Sequence, residues 1–487
     1  MSPRIPYLRR PALFTGAVAV SMLAVSATRP VPAEPRSLPP AGPAAAAAAV
    51  GTTAGTAAGR VLTARYNLGD LAFTPPARIG YTGRSELSGT VHYPAGPRHG
   101  RLPIVLLQHG SWATCGDASA ERELKAATAA LAQAEEGGDE EEAARQQAVI
   151  DRASALLWAW PCARGTESIP SADGYDYLGR ALAAQGFVVV SMATNGINAT
   201  AGGQADTVYR ARAALIERHA RLWQRLSRDG AGPLAAALVS ATTGERVGPR
   251  FKGAVDLRRV GLLGHSMGGG GVMQEVADSV RPSWPAGIEF KAAFVLAPTA
   301  TWDDTPVTRT PFAVMWGTCD AVNTGEYYEW NAPENRVPLF KYTLTGGNHS
   351  SYNRQWSPSS GQVASSDDAV PGTRPGTCRS QHPGTGPQTD QARLPEAQQR
   401  RVTKNRVTAF FARFLQGRRA LQPYLSGEAP FPGERLLRPP PTPAVNSPGG
   451  PPHRGRGGAG APLGPGPPPA AVQAVPGIGG WQVPPAR

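Results

Sequence analysis

The sequence predicts an α/β fold built on a doubly wound, mostly parallel sheet. Seven short, nearly continuous apolar runs lie between residues 88 and 344, interleaved with amphipathic stretches of helical period. That is the pattern of strands buried on both faces beneath covering helices. One run passes through a Gly-rich turn straight into a helical stretch. Polar residues with chemistry to offer follow four of the runs, at the carboxyl edge where ligands meet such sheets.

Strands are expected at 88–93, 102–108, 187–192, 259–263, 292–296, 312–316 and 339–344. Helical patterns occupy 177–185, 208–226, 270–280 and 398–415. One stretch breaks the rhythm. Residues 118–157 carry two helical runs, 121–134 and 141–157, separated by Gly137-Gly138, with Leu124, Leu131, Ile150 and Leu157 at apolar helical spacing. This predicts an inserted helical hairpin. Its acidic tip, Glu135 to Glu142, matches no calcium-loop spacing and reads as a solvated turn.

The ends differ from the middle. Of 487 residues, 57 are Gly and 49 are Pro, about twice the usual share and too many for one uniformly packed globule. Residues 1–27 read as a signal peptide: Arg4, Arg9 and Arg10 precede an apolar run ending in Val25-Ser26-Ala27, a small-residue cleavage site. Sixteen apolar residues are short for a membrane span. Residues 28–60 form a Pro/Ala-rich linker, and 428–487 hold 17 Pro and 12 Gly. Neither stretch can bury enough apolar surface to offset its ordering entropy, so both are expected to be disordered. The catalytic domain is placed at 61–427.

The formal charge of +13 is local, because residues 391–420 hold eight Arg or Lys against one acid, Glu396. No zinc-finger spacing, RNP-like segment or basic–aromatic interleaving accompanies it, which argues against nucleic acid as a partner. Weak attraction to anionic cell surfaces fits the charge. In an exported chain four cysteines pair most simply as two disulfides. Cys115–Cys162 would pin the base of the hairpin, and Cys319–Cys378 would tie down a loop near the site.

The sharpest signal is Gly264-His265-Ser266-Met267-Gly268-Gly269, between a strand and a helical run. A G-x-S-x-G sequence in that context is a nucleophile elbow. A serine hydroxyl near neutral pH needs an adjacent base, and the base an orienting acid. Downstream, one strand runs into Gly317-Thr318-Cys319-Asp320 and another into Gly346-Gly347-Asn348-His349. Ser266, Asp320 and His349 therefore fall in the expected chain order, past the ends of neighbouring strands. Asp303 and Asp304 are rival acids. His109 is expected to brace its loop, His265 to point elsewhere, and His219 and His382 to lie at the surface. Oxyanion donors are expected from the backbone N–H of Met267 and of Ser111, in His109-Gly110-Ser111-Trp112, each worth about 3 kcal/mol in the transition state. Trp112, Met267, Trp302 and Trp356 are candidates for an apolar acyl pocket, with Trp112 and Trp302 placed as substrate-binding residues.

At these motifs the chain resembles the α/β-hydrolase superfamily, and within it secreted bacterial esterases of the dienelactone-hydrolase-like, platelet-activating-factor-acetylhydrolase-like and polyester-hydrolase (cutinase-like) groups. The resemblance runs over roughly residues 85–415. It implies Ser266 as nucleophile, His349 as base, Asp320 as orienting acid and Ser111 and Met267 as oxyanion donors. Polyester hydrolases usually carry Trp where His265 stands, and their cleft lacks an insert after the oxyanion loop.

The expected function is a secreted serine hydrolase acting on a small-molecule or lipid-like ester, as a monomer, with no cofactor or metal. An acyltransferase or peptidase using the same residues, or a non-catalytic cell-envelope binding protein, are the alternatives. The hairpin's place after the oxyanion loop suggests a lid. Deleting residues 118–157 should then change the preference across p-nitrophenyl esters of rising chain length; an unchanged profile removes the lid.

Overall fold

Alternation along each strand sends successive side chains into two different cores. From Leu102–Gln108 (β3), Ile104 and Leu106 enter one apolar cluster, while Val105 and Leu107 enter the other. The computed structural model describes residues 60–96, 100–201, 206–299, 305–323, 327, 335–369, 371–379, 390–436 and 470–476. The leader 1–27, the linker 28–59, Trp302, Asp303, Asp304 and His382 lie outside the described residues.

Among the described residues one sheet holds eleven strands. Its middle is parallel, in the order Val188–Met192 (β4), β3, Val255–His265 (β6), Phe290–Leu296 (β7), Phe312–Gly317 (β8) and Leu339–Leu344 (β9). Antiparallel strands Ser88–Pro94 (β2), Val61–Asn67 (β1) and Val239–Ser240 (β5) extend the edge beyond β4. The helices Thr207–Asp229 and Met267–Val276 cover one face, and Asp176–Ala184 and Glu396–Leu415 the other. The fold is thus α/β with a large, mostly parallel central sheet, as expected.

The chain leaves β3 for β4 on one side and returns to β6 on the other side of β3. Neighbouring connections diverge there, the switch point at which sheets of this kind take ligands at the carboxyl ends of their strands. Register sets that edge, with Gln108 opposite Gly264, His265 opposite Leu296 and Gly317 opposite Leu344.

The hairpin appears as Ala118–Gly137 and Glu140–Leu157. Residues 122–154 of these helices belong to a compact unit separate from the one that holds the sheet. Gly138 turns the chain at φ 70°, and the Asp139 carboxylate accepts the Glu142 N–H at 3.0 Å, capping the second helix. Where the chain enters and leaves this unit, Cys115 and Cys162 are cross-linked, and Leu157 O accepts the N–H groups of Thr114 and Cys115.

Three sequence expectations are modified. His219 is buried, not superficial, because its helix places it beside Ile216, Leu222 and Trp223 on the inner face, where Tyr66 OH meets its Nδ1 at 2.6 Å. The helix after Ser266 begins at Met267 and ends at Val276. From the Pro/Gly-rich tail, Glu434–Leu436 and Ala470–Pro476 join the sheet beside β9. Within the basic run 391–420, Arg406 pairs with Glu434 at 2.7 Å, both side chains fully buried, Arg400 meets Glu396, and Arg393 meets Asp367, while Arg401, Arg418 and Arg419 are exposed.

Phe410, from the helix Glu396–Leu415, is fully buried with ring contacts to Phe294, Phe340, Phe411 and Phe414. Phe410→Ala should lower unfolding free energy by about 3–5 kcal/mol, read as a reduced urea midpoint at unchanged slope.

Candidate functional site

Strand β6 ends at His265, and the helix starts at Met267, so a single residue must reverse the chain. Ser266 does so at φ 56° and ψ −127°, a left-handed conformation that costs a residue with a Cβ roughly 1–3 kcal/mol. Ser266 N–H donates to Leu296 O at 2.9 Å, and Ser266 O accepts the Gly269 and Thr299 N–H groups at 2.8 and 3.1 Å. Backbone segments crowd in from all sides. A Cβ on Gly268 would sit 2.3 Å from Gln108 O, and one on Gly110 would sit 2.4 Å from Ser266 Cβ. The glycines are there because two loops touch at backbone level.

That contact brings the loop after β3 against Ser266. The loop is braced by a buried cation. Arg212 Nη1 donates to His109 O at 2.9 Å and to Thr194 Oγ1 at 3.3 Å, and its Nη2 donates to Asn198 Oδ1. Asn198 Nδ2 in turn donates to Gly110 O at 3.0 Å. Burial holds Arg212 down at about 10. The His109 imidazole accepts the Thr194 N–H at 2.9 Å, and burial together with Arg212 pushes it down to about 3. It is a neutral brace, as its sequence context suggested. Ser111 and Met267 are both half-buried, and as the opening residue of its helix Met267 has no intrahelical acceptor for its N–H.

Asp320 and His349 meet. His349 Nδ1 donates to Asp320 Oδ2 at 2.9 Å, with the side chains 4% and 0% exposed. Asp320 Oδ1 accepts the N–H groups of Val322 and Asn323, each at 2.8 Å. This fixes the carboxylate and leaves His349 Nε2 as the acceptor nitrogen. Burial opposes charging His349, but the Asp320 charge and hydrogen bond, with Asp368 adding to them, leave the ring more basic than ordinary histidine.

His265 does not point away entirely. Its ring lies 4.8 Å from that of His349 and 4.9 Å from that of Trp356, and its Nδ1 is hydrogen-bonded to Tyr175 OH at 2.7 Å. Burial, then the neighbouring His349, keeps it neutral. Trp356 is fully buried and stacks on half-buried Trp112 at 4.7 Å and 8°. An aromatic wall thus runs from the loop after β3 to His349.

The sequence pointed to no second acid, but Asp368 is one. Its carboxylate accepts the His349 N–H at 3.0 Å and the Ser350 N–H at 2.9 Å. Burial, offset in part by His349, raises it to about 6. Ligand-type atoms of Asp320, His349 and Asp368 lie within 4.8 Å of one another. All four carboxylate oxygens already face N–H donors, the pattern of a hydrogen-bonded relay. The adjacent Asp-Asp pair in Ser365-Ser366-Asp367-Asp368 was the available signal, but nothing in its spacing ties it to His349. Both expected disulfides form, and Cys319–Cys378 stands beside Asp320. No protein-family model and no curated protein matches this chain.

Replacing Arg212 with Met would orphan Asn198 Oδ1 and leave His109 O only the Thr194 hydroxyl at 3.5 Å. Each such acceptor costs about 1–3 kcal/mol, so thermal unfolding should show a clear loss of stability in this variant.

Proposed function

We propose that this chain is a secreted serine hydrolase of the α/β-hydrolase type that cleaves carboxylic esters. One observation carries the reading. A buried His349–Asp320 hydrogen bond of 2.9 Å lies at the sheet edge where a serine occupies a left-handed strand-to-helix turn, and the His349 ring packs on the residue preceding that serine.

The steps follow from the residues. Ser266 Oγ attacks the ester carbonyl as His349 Nε2 takes its proton, and the carbonyl π pair moves to oxygen. The backbone N–H groups of Met267 and Ser111 receive that oxyanion, where preformed donors stabilise charge without reorganisation. The helix opening at Met267 adds its positive dipole end. The imidazolium, held by Asp320, returns the proton to the departing alkoxide, so the C–O bond breaks and an acyl-serine remains. Water, activated by the same His349, then attacks the acyl carbon and releases the acid, restoring the serine. Asp320 keeps the Nδ1–H tautomer. Half-buried Trp112, backed by the fully buried Trp356, offers an apolar surface to the substrate.

Export fits the rest of the molecule. Two disulfides suit an oxidising compartment, and no helix among the described residues is long and apolar enough to cross a membrane.

A fluorophosphonate probe should label the wild-type protein at Ser266 and fail to label Ser266→Ala; a wild-type chain that stays unlabelled defeats the reading. Asp320→Asn should reduce kcat by roughly 10⁴-fold, because it favours the wrong tautomer. Since His349 must be neutral to act as base and its affinity for a proton is raised, activity should fall as pH drops through a value above the ordinary histidine range of about 6.5. The kcat/KM profile checks the position of that acidic limb.

A further inference from the structure

The carboxylate of Asp368 does more than close a turn. Both its oxygens are committed to the backbone of the base and the next residue, His349 N–H at 3.0 Å and Ser350 N–H at 2.9 Å. Its neighbour Asp367 faces the other way, exposed, where it accepts from Asn348 Nδ2 at 3.0 Å and pairs with Arg393. The chain carrying these acids is fixed at several points. Ser366 N–H donates to Trp356 O at 3.0 Å, and Ala369 bridges to Asp320. Pro371 bridges to Cys378, whose disulfide reaches Cys319. One segment is therefore tied to the loops bearing both the acid and the base.

We propose that Asp368 is a positioning residue of the same relay, fixing the His349 backbone through two N–H bonds and supplying a second negative charge to the His349 imidazolium. This rests on the serine-hydrolase reading. The groups facing the imidazole are Asp320 from the loop after β8, the neutral His265 ring from the elbow, and Asp368. The positive charge of Arg393 is taken up by Asp367. Aside from Asp320, Asp368 is the charge among these that raises the affinity of His349 for a proton. A charge at such range shifts a neighbour by on the order of one pH unit.

The test uses the full chain labelled with ¹³Cε1-histidine, because the titration of His349 followed by NMR does not depend on turnover. Removing the charge in Asp368→Asn should lower the His349 midpoint by about one unit. The acidic limb of kcat/KM should move down by the same amount, with kcat reduced by about tenfold and KM little changed. Asp368→Glu, which keeps the charge but moves it, should hold the midpoint near the wild-type value even where kcat falls. If the His349 midpoint in Asp368→Asn coincides with wild type, the proposal is overturned, whatever happens to kcat or stability. If instead the midpoint shifts but the wild-type protein resists the fluorophosphonate, the charge coupling stands and the hydrolase reading fails.

Discussion

An ionisable pair, His349 and Asp320, buried to within a few per cent of full enclosure, is the constraint around which this protein is arranged. Taking a carboxylate out of water costs several kcal/mol unless protein donors replace the lost hydration. Here the replacement is complete: two backbone N–H groups at one oxygen and the imidazole N–H at the other. Those donors exist only because β8 ends at Gly317 and the chain turns tightly through Asp320 to Asn323. The parallel neighbour β9 ends level with it, at Leu344 opposite Gly317. The pair is thus a product of strand register. A shift of one residue between β8 and β9 would send alternate side chains to the wrong face and separate the two groups.

The other half of the edge is governed by backbone contact. At the crossing of the loops after β3 and β6 there is no room for side chains, so Gly110 and Gly268 let main chains touch and Ser266 takes up the turn. Such a junction would be soft if its loop were free. Arg212 prevents that by donating to His109 O and to Asn198, which holds Gly110 O. A fully buried guanidinium is an expensive way to brace a loop, but its fork satisfies acceptors from two separate segments at once. The same burial keeps His109 neutral, so no second imidazolium competes with His349 near the site.

What the sequence revealed and what it hid divide along physical lines. The central strands were legible because each is buried on both faces and reads as an unbroken apolar run; 102–108 and 339–344 match β3 and β9 to the residue. Ser266, Asp320 and His349 were legible because each follows such a run directly. The edge strands β1 and β5 were not: they are half-exposed or very short, and their pattern is that of an ordinary loop. His219 was misjudged because a helix rich in Arg hides an inner face that only its partners define. Arg212, on that same helix, was unreadable for the same reason. Asp368 was invisible because its partners are backbone groups, which have no signature in sequence.

These two kinds of hidden residue share a logic. Arg212 and Asp368 each act on main-chain groups of a loop to which the proposed mechanism assigns a role, Arg212 on the loop after β3 and Asp368 on the loop that carries His349. Loops at a sheet edge lack the ladder bonds that hold strands, and a site of this type tolerates little displacement of its reacting groups. Charged side chains that grip several backbone atoms supply the missing stiffness, since hydrogen bonds to ionised partners are about twice as strong as neutral ones. Their signs are also placed consistently with the chemistry. The cation stands behind the loop proposed to meet the oxyanion, and the anion stands behind the ring proposed to become an imidazolium. Stiffening and electrostatic support therefore come from the same residues.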